Sequence, residues 1–271
     1  MNQGLHKLLF LDIDDTLTPP TYIDIPARNL AAIRRAQEAG IYVTIATGRG
    51  YFGSSGIWKQ MGIEGPVINY GGSIIMDTRT DQPIYTTEMP GEAVREILEY
   101  AAAKGLYAHI YQNDTVIYEK ACKYSEAYVT KLNLPHFEDH DLRAKYWKHV
   151  PKVLIITEED EAIRLIPSLQ KIFENRIKVS GTSRGFIEFN QPEANKGSSA
   201  AIVAELLGYS REETVAVGDN SLDIEMIEWA GLGCAVGNAM PDILKTADLV
   251  LPACEDMAIE YLIDNVLLKR A

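Results

Sequence analysis

The sequence predicts an α/β protein in which a parallel-sheet domain is interrupted by an inserted α+β module. Three observations predict this. Apolar runs of strand length alternate with helical stretches at both ends of the chain. From about Pro83 the texture changes to shorter strands and a tight Asn113-Asp114 turn, and after Pro192 the α/β rhythm returns. The expected division is residues 1–82 with 191–271 as one domain and 83–190 as the insert, which at about 100 residues is an ordinary domain size.

In chain order, Leu8–Leu11 reads as a buried strand. Pro26–Ala39 reads as a helix opened by proline and stopped by Gly40. Ile41–Ala46 is the next strand, a helical stretch surrounds Ile57–Met61, and Val67-Ile68-Asn69 follows as a strand. Right-handed crossovers place these strands side by side. In the insert, Ile84–Thr87, Tyr107–Tyr111, Thr115–Tyr118, Lys152–Thr157, Ile177–Val179 and Phe186–Phe189 read as strands. Glu92–Lys104, Cys122–Leu132 and Glu159–Glu174 read as helices. The closing segment gives helices at Lys196–Leu207, Leu222–Ala230, Met240–Thr246 and Met257–Leu267, with strands at Thr214–Val217, Leu232–Val236 and Leu249–Leu251.

Of the 271 residues, 46% are apolar and 24% charged, an ordinary balance for a globular chain that argues against disorder. No apolar run approaches the roughly 18 residues that span a bilayer. The residues before Leu8 lack the form of a secretory signal, so a cytoplasmic protein is the default expectation. Cys122, Cys234 and Cys254 are odd in number and widely spaced, and imply neither a disulfide framework nor a zinc site. A net charge of -12 disfavours a nucleic-acid partner, which needs clustered Lys and Arg. No feature points to a membrane or demands an oligomer, and a monomer suffices.

Four polar sites fall at strand exits or helix entries. The first is Asp12-Ile13-Asp14-Asp15-Thr16, directly after the first strand. Strand alternation points Asp12 and Asp14 the same way from the strand's C-terminal tip, where open α/β sheets place ligands. Like charges so close call for a cation between them or a held proton. The second is Thr47-Gly48-Arg49, where a hydroxyl and backbone N–H groups suit a phosphoryl oxygen, although Thr-Gly after a strand is also common turn chemistry. The third is Asn195-Lys196-Gly197, a lysine in a first helical turn, where it opposes the helix dipole and is better explained by an anion. The fourth is Gly218-Asp219-Asn220-Ser221-Leu222-Asp223, a second delivery of carboxylates to a strand tip, with helix capping as the bland alternative.

In this order the four sites resemble the motifs of the haloacid dehalogenase superfamily. The insert between Thr47 and Lys196 resembles the cap of its Cof-type sugar-phosphatase branch, and Asn69-Tyr70-Gly71-Gly72 and Gly237-Asn238-Ala239 resemble segments of that branch. The resemblance covers essentially the whole chain and implies a Rossmann-like catalytic core with an inserted α+β cap that chooses the substrate. It implies that Asp12 is the nucleophile and Asp14 the general acid and base. Mg²⁺ would be held by Asp12, the Asp14 backbone carbonyl and Asp219, with Asn220 and Asp223 in support, while Thr47, Gly48 and Lys196 bind the phosphoryl group. Arg49, Arg184 and Glu188 are candidate contacts to the leaving group, with surface ion pairs as the competing explanation.

The chain departs from the family pattern at Asp15, where glycine is usual, and at Leu222, where asparagine is frequent. The implied activity is hydrolysis of small phosphorylated metabolites, sugar phosphates above all, through an aspartyl phosphate. A sugar phosphomutase on the same site and a non-catalytic phospho-ligand-binding protein are the alternatives.

Overall fold

Leu8–Leu11 forms β1, a buried interior strand of a five-stranded parallel sheet. Four consecutive apolar residues suit a strand covered on both faces. The structure, a computed structural model, describes residues 6–20, 24–145, 148–181 and 185–269. It divides into two units, one built from Met1–Arg49, Ser54–Ile84 and Asn195–Ala271, the other from Gly50–Gly53 and Tyr85–Ala194.

After β1 come α1 (Ala27–Glu38), β2 (Tyr42–Ile45), α2 (Tyr51–Met61), β3 (Pro66–Asn69), β4 (Ile74–Asp77) and β5 (Gln82–Thr86), all of the first unit except the start of α2 and the end of β5. The second unit holds α3 (Gly91–Ala103), β6 (Tyr107–Gln112), β7 (Thr115–Tyr118), α4 (Lys123–Leu132), β8 (His136–Glu138), α5 (Leu142–Lys145), β9 (Lys152–Ile156), α6 (Glu159–Ile172), β10 (Lys178–Gly181) and β11 (Phe186–Asn190). The chain then returns to the first unit with α7 (Lys196–Leu207), β12 (Thr214–Gly218), α8 (Ile224–Trp229), β13 (Leu232–Ala235), α9 (Pro241–Thr246), β14 (Leu249–Val250) and α10 (Ala258–Leu262). Among the described residues no helix is long and apolar enough to cross a membrane.

The parallel sheet runs β14-β13-β12-β1-β2. Leu11, the last residue of β1, lies opposite Val217 and Ile45, so β1, β12 and β2 end at one level. The segments that leave these three strands are those that carry three of the polar motifs. The fourth comes from α7, whose start is fixed by Asn195, which accepts from the Ser198 N–H at 2.8 Å, and whose end is closed by Gly208 in the left-handed region.

One expected strand has a second partner. Val67–Asn69 does run parallel to the sheet's edge, which it meets through a parallel Ala46–Ile68 bridge and the Thr47 N–H to Ile68 carbonyl bond, but along its length β3 pairs with antiparallel β4. The reason is the turn that follows it. Tyr70, Gly71 and Gly72 all have positive φ, a conformation that reverses the chain at once and leaves no room for a crossover helix. The closing helix is also shorter than the expected 257–267, because at Ile263–Leu267 it widens into a π-helical turn.

In the second unit a six-stranded sheet runs β10-β11-β9-β6-β7-β8, antiparallel except for the β7–β8 pair. Strand alternation separates its chemistry. Ile110, Val153, Ile155, Ile187 and Phe189 pack with Val94 and Ile97 of α3 and Leu169 of α6 in one apolar core. The alternate positions carry Tyr107, His109, Tyr111, Lys152 and Glu188. The expected strand and helix pattern of the insert missed β8, whose three residues are all exposed and show no apolar alternation.

The turn after β3 is a close-packed joint. Tyr70 N–H donates to the Arg49 carbonyl and Gly71 N–H to the Thr47 carbonyl, each at 2.9 Å. Ser199 donates to the Gly72 carbonyl at 2.7 Å, and a Cβ on Gly72 would collide with the Asn195 backbone. Gly72 also has φ +104°, which side chains rarely adopt. Gly72→Ala is therefore expected to destabilise the protein by about 2 kcal/mol or more, read as a lower denaturant midpoint at unchanged slope; wild-type stability would show that the joint yields.

Candidate active site

Asp12 is the residue immediately beyond β1, and its N–H still donates to the Val217 carbonyl at 3.0 Å. The strand ladder thus fixes its backbone. Beyond it the chain leaves the strand: the Ile13 carbonyl accepts from the Leu17 and Thr18 N–H groups, and Asp14 bridges to Thr18 within this small loop. The expectation that strand alternation alone sets the relation of Asp12 to Asp14 is corrected here, since the pleat ends at Leu11. Asp12 is 3% exposed, whereas the Asp14 side chain is 51% exposed.

Lys196 is the first residue of α7 and is 1% exposed. Its Nζ donates to Asp12 Oδ1 at 2.6 Å and to Asp223 Oδ1 at 2.5 Å. Burial works against its charge, but Asp12 and Asp223 overcome that cost and hold the ammonium protonated well above its ordinary range. The lysine that opposes the helix dipole is explained by two buried anions within reach.

Asp223 accepts at its other oxygen from the Asp219 and Asn220 N–H groups, at 3.0 and 3.1 Å. Gly218 makes this possible, because a Cβ there would run into the Asp223 carboxylate. Helix capping is thus not the role of Asp223, which makes no side-chain bond to the start of α8. Asp219 Oδ1 accepts from Thr16 at 3.1 Å and from Asn220 Nδ2 at 3.2 Å. Leu222 is buried and its N–H donates to Asn220 Oδ1 at 3.0 Å, so it serves the turn and the apolar core.

Oxygens of Asp12, Asp219 and Asp223 lie within 4.8 Å of one another. Burial raises the Asp12 carboxyl to about 7; Lys196 opposes this, while Asp223 and Asp14 add to it. Asp219 is pushed well above its ordinary range, by burial first and then by Asp12 and Asp223. Asp12 Oδ2 is buried with no hydrogen-bond partner among the described residues. A divalent cation fits such a donor set: hard oxygens, excess negative charge and an unused buried acceptor. Asp223 has both oxygens engaged by Lys196 and two backbone amides, so Asp12 and Asp219 are the carboxylates suited to hold the cation. The Asp14 carboxylate is not part of this cluster.

Thr47 is buried just beyond β2, its N–H donating to the Ile68 carbonyl at 2.9 Å. Its Oγ1 accepts from the Arg49 N–H at 3.1 Å, across Gly48. Arg49 is 8% exposed and grips Asp14 in a two-pronged pair, Nε to Oδ2 at 2.8 Å and Nη2 to Oδ1 at 2.6 Å. Glu188 belongs to the second unit, where it forms a buried pair with Lys152 at 3.2 Å. Arg184 lies outside the described residues.

Sequence reasoning missed three contributions. Thr16 orients Asp219, Arg49 grips Asp14, and Asn238 ties the Asp12–Thr16 loop down by donating to the Asp15 carbonyl at 2.9 Å and accepting from the Cys254 N–H at 2.7 Å. Asp15 has φ +61°, which accounts for the glycine usual at this position, since aspartate is among the few side chains that tolerate the left-handed region.

A model of the family described as haloacid dehalogenase-like hydrolase matches residues 9–263. A putative phosphatase of Bacillus subtilis, YxeH, is 26% identical over 98% of this chain and 100% of its own. The 5-amino-6-(5-phospho-D-ribitylamino)uracil phosphatase YwtE of the same organism is 27% identical over 96% of this chain and 98% of its own. A solved haloacid dehalogenase-like hydrolase from Bacteroides thetaiotaomicron superposes with a TM-score of 0.83 at 26% identity, covering 95% of this chain and 98% of that one.

The raised Asp12 and Asp219 carboxyls fix a stability signature. Without metal, the folded state keeps a proton that the unfolded chain has released between the ordinary value of 3.8 and about 7, so stability falls as pH rises through that window. A divalent cation competes with that proton. At 100-fold excess over Kd it is expected to raise Tm by about 5 °C or more at pH 7.5 and far less at pH 5. Asp219→Asn is expected to abolish most of this gain; a pH-independent shift in the variant and the wild type alike would refute the assignment.

Proposed function

With the chain a member of the haloacid dehalogenase-like hydrolase family and an enzyme of its phosphatase type, we propose that the Asp12 cluster hydrolyses phosphate monoesters of small metabolites with Mg²⁺ as cofactor. The observation that carries this reading is the setting of Asp12, which is oriented by Lys196 through Oδ1 and keeps at Oδ2 an acceptor with no hydrogen-bond partner among the described residues. A carboxylate so placed has capacity for both a cation and a phosphorus centre beyond its bond to Lys196.

In this reading Asp12 attacks phosphorus and the bond from phosphorus to the leaving oxygen breaks. Asp14 gives the departing alkoxide a proton, then takes one from the water that hydrolyses the aspartyl phosphate and releases inorganic phosphate. Lys196 and the Thr47 hydroxyl, with the Gly48 backbone, hold phosphoryl oxygens as charge builds on them. Held by Asp12, Asp219 and the Asp14 carbonyl, Mg²⁺ would supply the positive charge that lets an ionised nucleophile approach a phosphate dianion. Asn220, Asp223 and Thr16 keep Asp219 and Lys196 in place.

The insert, residues 83–190, is proposed to choose the leaving group, with Glu188 and Arg184 among its candidates. Sugar phosphates and related polyol phosphates are the proposed substrates. Support comes from the relative YwtE, whose name records a phosphorylated ribitylamino compound as its substrate.

The test is phosphate release from a panel of monoesters with Mg²⁺, ranked by kcat/KM because that ratio measures discrimination. Asp12→Asn is expected to lower turnover by about 10⁴-fold or more. Release of no phosphate by the wild type, or equal release by the variant, would overturn the proposal.

A further inference from the structure

Arg49 has a part in this site that neither the motif nor the fold explains. Its backbone is pinned: the N–H donates to Thr47 Oγ1 at 3.1 Å, and the carbonyl accepts from the Tyr70 N–H at 2.9 Å and from Asn69 Nδ2 at 3.4 Å. Only the side chain can rearrange. That side chain is 8% exposed and ends on Asp14, whose own side chain is 51% exposed.

Resting on the phosphatase reading, we propose that Arg49 exchanges partners during the reaction: it holds Asp14 at rest and transfers to the phosphoryl group when substrate binds, so that the substrate's own charge releases Asp14. Both Asp14 oxygens accept from the guanidinium in the resting arrangement, Oδ1 at 2.6 Å and Oδ2 at 2.8 Å. In that pair Asp14 is a carboxylate with no proton to give, and it becomes an acid only when the pair opens and it takes a proton from solvent. The exchange has a direction. A phosphoryl group offers a guanidinium the same forked geometry as a carboxylate, with greater charge and a third acceptor oxygen.

Release of Asp14 is also inexpensive, because a half-exposed carboxylate regains water as it leaves the pair. Arg49 is buried, so a guanidinium that leaves Asp14 is favoured to move onto another anion, and the phosphoryl group is the one that substrate brings. The exchange makes Asp14 unavailable without substrate and available with it, and it places Arg49 on the phosphoryl side rather than on the leaving group.

A double-mutant cycle on the full chain with Mg²⁺ present tests the exchange, with inorganic phosphate as the probe and calorimetry as the readout. If Asp14 and phosphate compete for Arg49, Asp14→Asn tightens phosphate binding about tenfold when Arg49 is present and by less than about twofold in an Arg49→Gln background. A gain of the same size in both backgrounds reflects only the lost negative charge and overturns the exchange while leaving the phosphatase reading intact. Should Arg49→Gln fail to fold, Arg49→Lys takes its place, keeping the charge and losing the fork, and the gain is expected to shrink. Wild-type protein that neither hydrolyses esters nor binds phosphate overturns both readings together.

Discussion

A single buried ammonium among three buried carboxylates is the constraint on which the rest of this site depends. Lys196 touches Asp12 and Asp223, while Asp219 lies close enough to add its own field. Removing one partner from such a set leaves uncompensated charge in low dielectric, at a cost of about 3–5 kcal/mol. The cluster tolerates its excess negative charge only by keeping protons or by gaining a cation, and the first choice leaves Asp12 uncharged. The charge state of Asp12 and the affinity of the cluster for a cation are therefore one electrostatic problem.

The fold meets that demand with close approaches of backbone rather than with long side chains. Strand β1 presents Asp12 on a ladder bond to Val217, and Gly218 leaves space for Asp223 to reach over the next turn. The reversal at Tyr70–Gly72 locks the Thr47 and Arg49 carbonyls on one side and meets the start of α7 on the other. Thus a turn that contributes no reactive group sets the separation between Thr47 and Lys196. Glycine at position 72 is required by contact and by backbone angle together, which is why its identity belongs to the site although its chemistry does not.

Much of the first unit was legible in the sequence because its signals are local. Apolar runs mark the strands, Gly40 and Gly208 mark helix ends, and acidic or basic residues beyond them mark the ligand edge. What could not be read depends on contacts between distant positions. Whether Asp223 caps α8 or receives Lys196 is decided by residues 27 apart, and the grip of Arg49 on Asp14 joins residues 35 apart. The antiparallel course of β3 and β4 follows from positive φ at Tyr70, a residue type that gives no warning of it. In the second unit β8 escaped notice because a short exposed edge strand needs no apolar alternation.

Asp15 joins these strands of argument. Its left-handed backbone meets a geometric demand that glycine would satisfy at lower strain, and its carboxylate adds to the field that raises Asp219 and the Cys254 thiol. Both effects work against the metal-free fold. The loop is nonetheless held, because Asn238 bonds the Asp15 carbonyl and the Cys254 amide at once, fastening the Asp12–Thr16 loop to the segment after β14. A bond to the backbone carbonyl is indifferent to the side chain at position 15, so the loop keeps its course whichever residue stands there. The Asp15 carboxylate deepens the negative potential at the cluster, which favours a cation there and opposes an anion. With Lys196 already committed to Asp12 and Asp223, the cation must outweigh that added repulsion, which ties anion binding at this site to prior metal binding more tightly than a glycine at position 15 would.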